Sequence, residues 1–216
     1  MWQYLTDSFN WSGPEGITAR IFQHIWYTVA ALGLATAIAL PVGLWIGHTR
    51  RGAFLAINTG NAARALPSLG LLMLAVLITD QIGFLPVLIA LVALGIPPIL
   101  TSTYAGLSGV DPATIDAARG MGMTGREILT KVEIPIALPL IISGLRGATL
   151  QIVSTATIAA LVSLGGLGRY VVDGLKLRDF PQMFTGALLV ALLAIALDLL
   201  FALVGRLTVS KGLRVD

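Results

Sequence analysis

Long stretches without a single Lys, Arg, Asp or Glu constrain this chain more than any other feature. Residues 21–49 form a run of 29, 81–110 a run of 30, 147–168 a run of 22 and 180–197 a run of 18. Residues 52–63 are also uncharged, and after Arg64 the run resumes over 65–79. About 20 apolar residues suffice to cross a bilayer as a helix. Backbone groups in lipid must bond within their own segment, so these runs read as helices. The alternating pattern of a membrane barrel is absent. Five spans follow, at roughly 22–47, 56–79, 84–106, 135–163 and 181–206. The fold class expected is an all-α polytopic membrane protein, with residues 1–216 forming one transmembrane domain.

Composition closes the alternatives. Only 12% of residues are charged, 56% are hydrophobic, and the mean hydropathy is +0.88. An ordinary soluble domain carries about 25% charged residues. A soluble domain, a disordered chain and a disulfide scaffold are excluded, the last because there is no Cys. The net charge is +3, with no basic run and no aromatic interleaving, so no nucleic-acid partner is expected. Asp7 and Glu15 precede Arg20, and the first twenty residues lack the pattern of a signal peptide.

Basic residues set an orientation. With the N-terminus outside, nine lie at the cytoplasmic ends: Arg50, Arg51, Arg64, Arg119, Arg126, Lys131, Arg206, Lys211 and Arg214. Four lie outside: Arg20, Arg169, Lys176 and Arg178. The bias favours N-out and C-in.

The longest polar segment, residues 111–134, lies between the third and fourth spans. Asp111-Pro112 reads as a helix start, with a capping carboxylate and Pro at the first helical position. Gly122 suits the stop. Thr124 with Glu127 three residues on is a capping box that opens a second short helix, and Pro135 marks entry to the fourth span.

Within this loop Asp116-Ala117-Ala118, then Gly122, then Val132-Glu133-Ile134-Pro135, resembles the coupling loop of ABC importer permeases. The family pattern is Glu-Ala-Ala, three residues, Gly, nine residues, then Ile-x-Leu-Pro. Spacing agrees throughout, with Asp116, Val132 and Ile134 as conservative departures. Thr103-Tyr104-Ala105-Gly106-Leu107, residues 117–122 with Arg119, and Gly165-Gly166-Leu167-Gly168 are similar to the permeases of glycine betaine, carnitine and choline importers.

The resemblance implies a type I importer permease of the inner membrane of a bacterium or archaeon. It implies a coupling helix seated in a cytoplasmic ATPase subunit, contacted by Asp116, Ala117, Ala118, Arg119 and Gly122, with Val132, Ile134 and Pro135 at its base. It further implies a second permease chain, identical or homologous, and an external substrate-binding protein. ATP and Mg would sit on the partner ATPase, with no cofactor on this chain. In keeping with that, no G-x-x-x-x-G-K-[ST] phosphate cradle occurs here.

Other residues stand out inside the spans. Arg146 and Asp198 are charges at span depth, and such charges pair or line wet cavities. A pair between the two is one reading; separate bonding of each to backbone carbonyls or water is the other. Gly147, Gln151 and Ser154 share a helical face and, with Thr155 and Ser163, suggest a weakly polar path; bonding between helices is the equal alternative. Gly165, Gly166 and Gly168 make an external turn. His24 and His48, 24 residues apart, read as interfacial and not as metal ligands. Trp2, Trp11, Trp26 and Tyr27 read as an aromatic belt.

The importer reading leaves rivals. One is the same machine carrying methionine or another amino acid. Another is an ion-driven transporter with Asp198 or Asp80 as proton carrier. A membrane enzyme is weaker, since no nucleophile, base and orienter cluster and no metal-ligand spacing is present.

Overall fold

The computed structural model describes residues 5–54, 56, 58, 59, 61, 67–162 and 164–209. Among the described residues every regular element is helical. The long elements are α1 (Ile17–Thr49), α2 (Ser68–Thr79), α3 (Phe84–Ser108), α6 (Ile134–Ile158) and α8 (Phe180–Thr208). Shorter ones are α4 (Pro112–Gly120), α5 (Gly125–Ile128) and α7 (Gly168–Leu177). A π-helical turn, Leu129–Glu133, joins α5 to α6, and a 3-10 turn, Ala159–Val162, extends α6.

Among the described residues, four helices are long and apolar enough to cross a membrane: Ile17–Thr49, Phe84–Ser108, the continuous Gly125–Val162, and Phe180–Thr208. The second predicted span, 56–79, is described only in part: α2 covers its last 12 residues, roughly 18 Å at 1.5 Å per residue. Much of the remainder of that predicted span, with Arg64, lies outside the described residues, as do Trp2, Ser163, Lys211 and Arg214. The 38 residues of Gly125–Val162 exceed what a bilayer needs, so the charged turns at its start stand clear of the span.

Hydroxyls in these helices are hidden locally. Thr28, Thr79, Thr101, Ser154 and Thr185 each donate to the carbonyl four residues back, at 2.8–2.9 Å. The apolar helix thereby absorbs a polar side chain without a neighbour.

The chain divides into two compact units, and each long crossing helix contributes residues to both. One unit gathers the start of α1, α2, the start of α3, the end of α6, and α7 with most of α8. Its core packs Ala31, Leu72, Val87, Leu91, Ile152 and Ala156, all nearly solvent-free. A second cluster joins Ile17, Leu167 and Tyr170. The other unit gathers the end of α1, the end of α3, α4, α5 and the start of α6. Its core packs Leu107, Ala137 and Ile141, and separately Val110, Ile115, Ala118 and Ile128. Small residues let helices touch closely here: a methyl on Gly144 would crowd Ser102 Cβ at 2.7 Å.

Candidate functional site: the 111–134 loop and the glycine turn

The loop between α3 and α6 is built by capping at every end. Asp111 Oδ1 accepts from the Ala113 N–H at 2.9 Å, with Pro112 at the first helical position. At the far end of α4 the Gly122 N–H donates to Arg119 O at 2.9 Å and the Met123 N–H to Ala118 O at 3.2 Å. That pair of bonds is a Schellman motif, and Gly122 sits in the left-handed region at φ +82°. The predicted stop is therefore real, and so is the capping box. Glu127 N–H donates to Thr124 Oγ1 at 3.4 Å, while Thr124 N–H donates to Glu127 Oε2 at 3.0 Å.

These bonds favour the Glu127 anion. The Thr124 backbone N–H, then Lys131 Nζ at 3.0 Å, lower its pKa from 4.5 to about 2. A depressed carboxyl contributes stability fully above its unfolded value and loses it as pH falls through the folded value. The cap is therefore unchanged in charge between pH 5 and 8.

α4 has two faces. Ile115 and Ala118 turn inward onto Ile128, with Met123, Val132 and Ile136 around them. Asp116, Ala117, Arg119 and Gly122 are exposed, and Arg119 bridges Asp116 at 3.4 Å. Ile134 is half-buried and Pro135 exposed. The structure thus groups Asp116, Ala117 and Arg119 on an open surface and places Ala118 in the packing beneath it.

Two residues missed from sequence tie this loop to α1. Glu133, 1% exposed, meets the His48 ring Nδ1 at 2.5 Å through Oε2. Arg50 donates to the Ser108 and Leu107 carbonyls at 2.6 and 3.3 Å, satisfying the end of α3. A carboxylate standing between apolar motif positions at a span entrance was the available signal for Glu133.

The glycine turn is also held by residues misjudged from sequence. His24 is fully buried, which corrects the interfacial reading. The Leu167 N–H donates to its Nδ1 at 3.3 Å, so Nε2 carries the proton and donates to Val153 O at 3.1 Å. Gln23 Oε1 accepts from the Gly166 N–H at 2.9 Å. Gly166 lies at φ +85°, and a methyl on Gly168 would overlap the Thr157 carbonyl. A methyl on Gly165 would overlap Gln23 Oε1 and crowd the Arg20 guanidinium.

Beside this turn lies a cavity of about 550 Å³ lined by Glu15, Arg20, Arg169, Tyr170, Asp173 and Gln182, among others. Its charges are paired, Arg20 with Glu15 at 3.2 Å and Arg169 with Asp173 at 2.8 Å. Tyr170 donates to Glu15 O at 2.9 Å, which fixes the N-terminal segment.

On α6, Gly147, Gln151 and Ser154 are exposed, whereas Thr155 is buried and receives Gln151 Nε2 at 3.5 Å. Arg146 is exposed on α6 and Asp198 half-buried on α8, and both engage other groups of the chain. Among the described residues no cluster of three His, Cys, Asp or Glu could hold a metal.

A family profile described as binding-protein-dependent transport system inner membrane component matches residues 39–210. The chain belongs to that family. It is a multi-pass inner-membrane permease of an ABC importer, and ATP hydrolysis is done by a separate ATPase subunit. The permease is 34% identical over 192 residues to the glycine betaine/carnitine/choline transport system permease protein OpuCB of Bacillus subtilis, covering 89% of this chain and 88% of that protein. It is 35% identical over 202 residues to the osmoprotectant import permease protein OsmW of Salmonella typhimurium, covering 92% and 94%.

Among solved structures, a chain of the MetNI methionine ABC transporter superposes with a TM-score of 0.77 at 23% identity, over 89% of this permease and 96% of that chain. That likeness establishes the type I fold alone. The methionine alternative is not carried by it, and the sequence relatives point elsewhere. Family membership also removes the ion-driven transporter and the membrane enzyme.

Proposed function

We propose that this permease imports small osmoprotectant solutes such as glycine betaine, carnitine or choline, acting as half of a membrane dimer. Two ATPase subunits and an external binding protein complete the machine. The supporting observation is relatedness above 30% identity, over about nine-tenths of both chains, to permeases named for these solutes. The whole chain acts as one permease domain and binds no nucleotide itself.

The exposed Asp116, Ala117 and Arg119 face of α4 docks in the ATPase, with the N-terminus outside and the C-terminus cytoplasmic. Closure of the ATPase around ATP pulls on α4, whose buried face, Ile115 and Ala118, transmits the pull to the start of α6. Gly147, Gln151, Ser154 and Thr155 line the path. A zwitterion carries no net charge and needs no fixed counter-ion there.

The test is ATP-driven uptake in proteoliposomes holding the permease, its ATPase and its binding protein. Labelled glycine betaine, choline, carnitine and methionine are offered separately. Accumulation of at least one quaternary ammonium solute, without methionine, is expected. Accumulation of methionine alone overturns the cargo assignment.

A further inference from the structure

α4 has an evident route into α6, through Ile115, Ala118 and Ile128. The loop also meets α1 through an apolar cluster in which Leu40 and Leu44 lie with Leu129, Ala137 and Ile141, short of the end of α1 at Thr49. A polar contact adds a second tie, at the end of α1 itself. Glu133 is the last residue of the π-helical turn, in which the Ile134 N–H donates to Leu129 O five residues back. A π turn carries one residue more than an α turn, so it resets the facing of everything before it by about 100°. It leaves the Glu133 carboxylate nearly solvent-free, where a charge needs a partner. The partner is His48 in the last turn of α1, 85 residues away in sequence. The ring's other nitrogen faces Gly125, the first residue of α5. Arg50 and Arg119 line the same small cavity as this pair.

We propose that His48 and Glu133 form a strut that carries movement of the 111–134 loop into α1, and that both are positioning residues for ATP-coupled transport. The inference rests on the importer reading above. A half-buried pair that serves packing alone affects assembly and stability. A strut also sets how much solute moves per ATP, because without it the end of α1 follows the loop through apolar packing alone.

The experiment measures solute uptake and ATP hydrolysis together in proteoliposomes of the full complex. His48→Leu removes the donor, and uptake per ATP is expected to fall about five-fold or more, the lower end of couplings between linked sites. His48→Gln keeps an N–H donor toward the carboxylate and retains most of the ratio. The chain has no Cys, so a His48→Cys/Glu133→Cys protein offers a unique thiol pair. Bridging it with a short bis-methanethiosulfonate linker is expected to raise the ratio, and reducing the same sample to lower it again. That comparison is internal to one folded sample. A wild-type ratio in His48→Leu, or equal ratios in bridged and reduced protein, overturns the strut. Absence of ATP-driven uptake in the unaltered complex instead sinks the importer reading itself.

Discussion

His24 shows how much one side chain can organise. It is fully buried in α1 and uses both ring nitrogens on backbone groups, one in α6 and one in the glycine turn. Replacing it with Leu leaves the Leu167 N–H buried without an acceptor, a loss of about 1–3 kcal/mol for that group alone. His24→Leu is expected to lower the melting temperature of the detergent-solubilised permease by several degrees, and Phe22→Leu, on an exposed position, to leave it unchanged. Gly168→Ala should be as harmful as His24→Leu, since the Thr157 carbonyl occupies the space a methyl would need. Neither histidine was legible as a tertiary ligand from sequence. A spacing of 24 residues says that they cannot pair on one helix, and says nothing about groups 85 or 129 positions away.

At the scale of elements, signals local in sequence were read correctly and those set by tertiary packing were not. Asp111-Pro112, Gly122 and the Thr124–Glu127 box announce their helix ends because capping depends on residues within four positions. The π turn at Leu129–Glu133 has no comparable signature. Ala118 looked like contact surface from its motif, yet faces inward. Two variants separate the faces of α4. Ala117→Arg adds bulk on the exposed side and should leave the permease inserted while removing the ATPase from it. Ala118→Arg buries a charge and should lower stability itself, read as aggregation or loss from the membrane fraction. Gly122→Ala costs about 1–2 kcal/mol of left-handed backbone strain and should weaken ATPase docking more mildly than Ala117→Arg.

For the whole molecule, the distribution of charge and apolar surface sets what must surround the chain. None of the most apolar window of α8 is buried within the single chain, so lipid or a second permease must cover it. The basic bias favours the N-out orientation proposed above. The absence of Cys makes this easy to test with an impermeant maleimide. Ser12→Cys should label in intact cells, and Thr130→Cys only after the membrane is opened; the reverse pattern would invert the topology. The central claim is that an ATPase drives this permease through the exposed face of α4. Its most direct test is affinity purification of the permease from native membranes in mild detergent, with ATP hydrolysis measured on the eluate. The account predicts a co-purifying ATPase that is lost in Ala117→Arg while the permease itself is recovered in full. An ATPase retained at wild-type level by Ala117→Arg would contradict it.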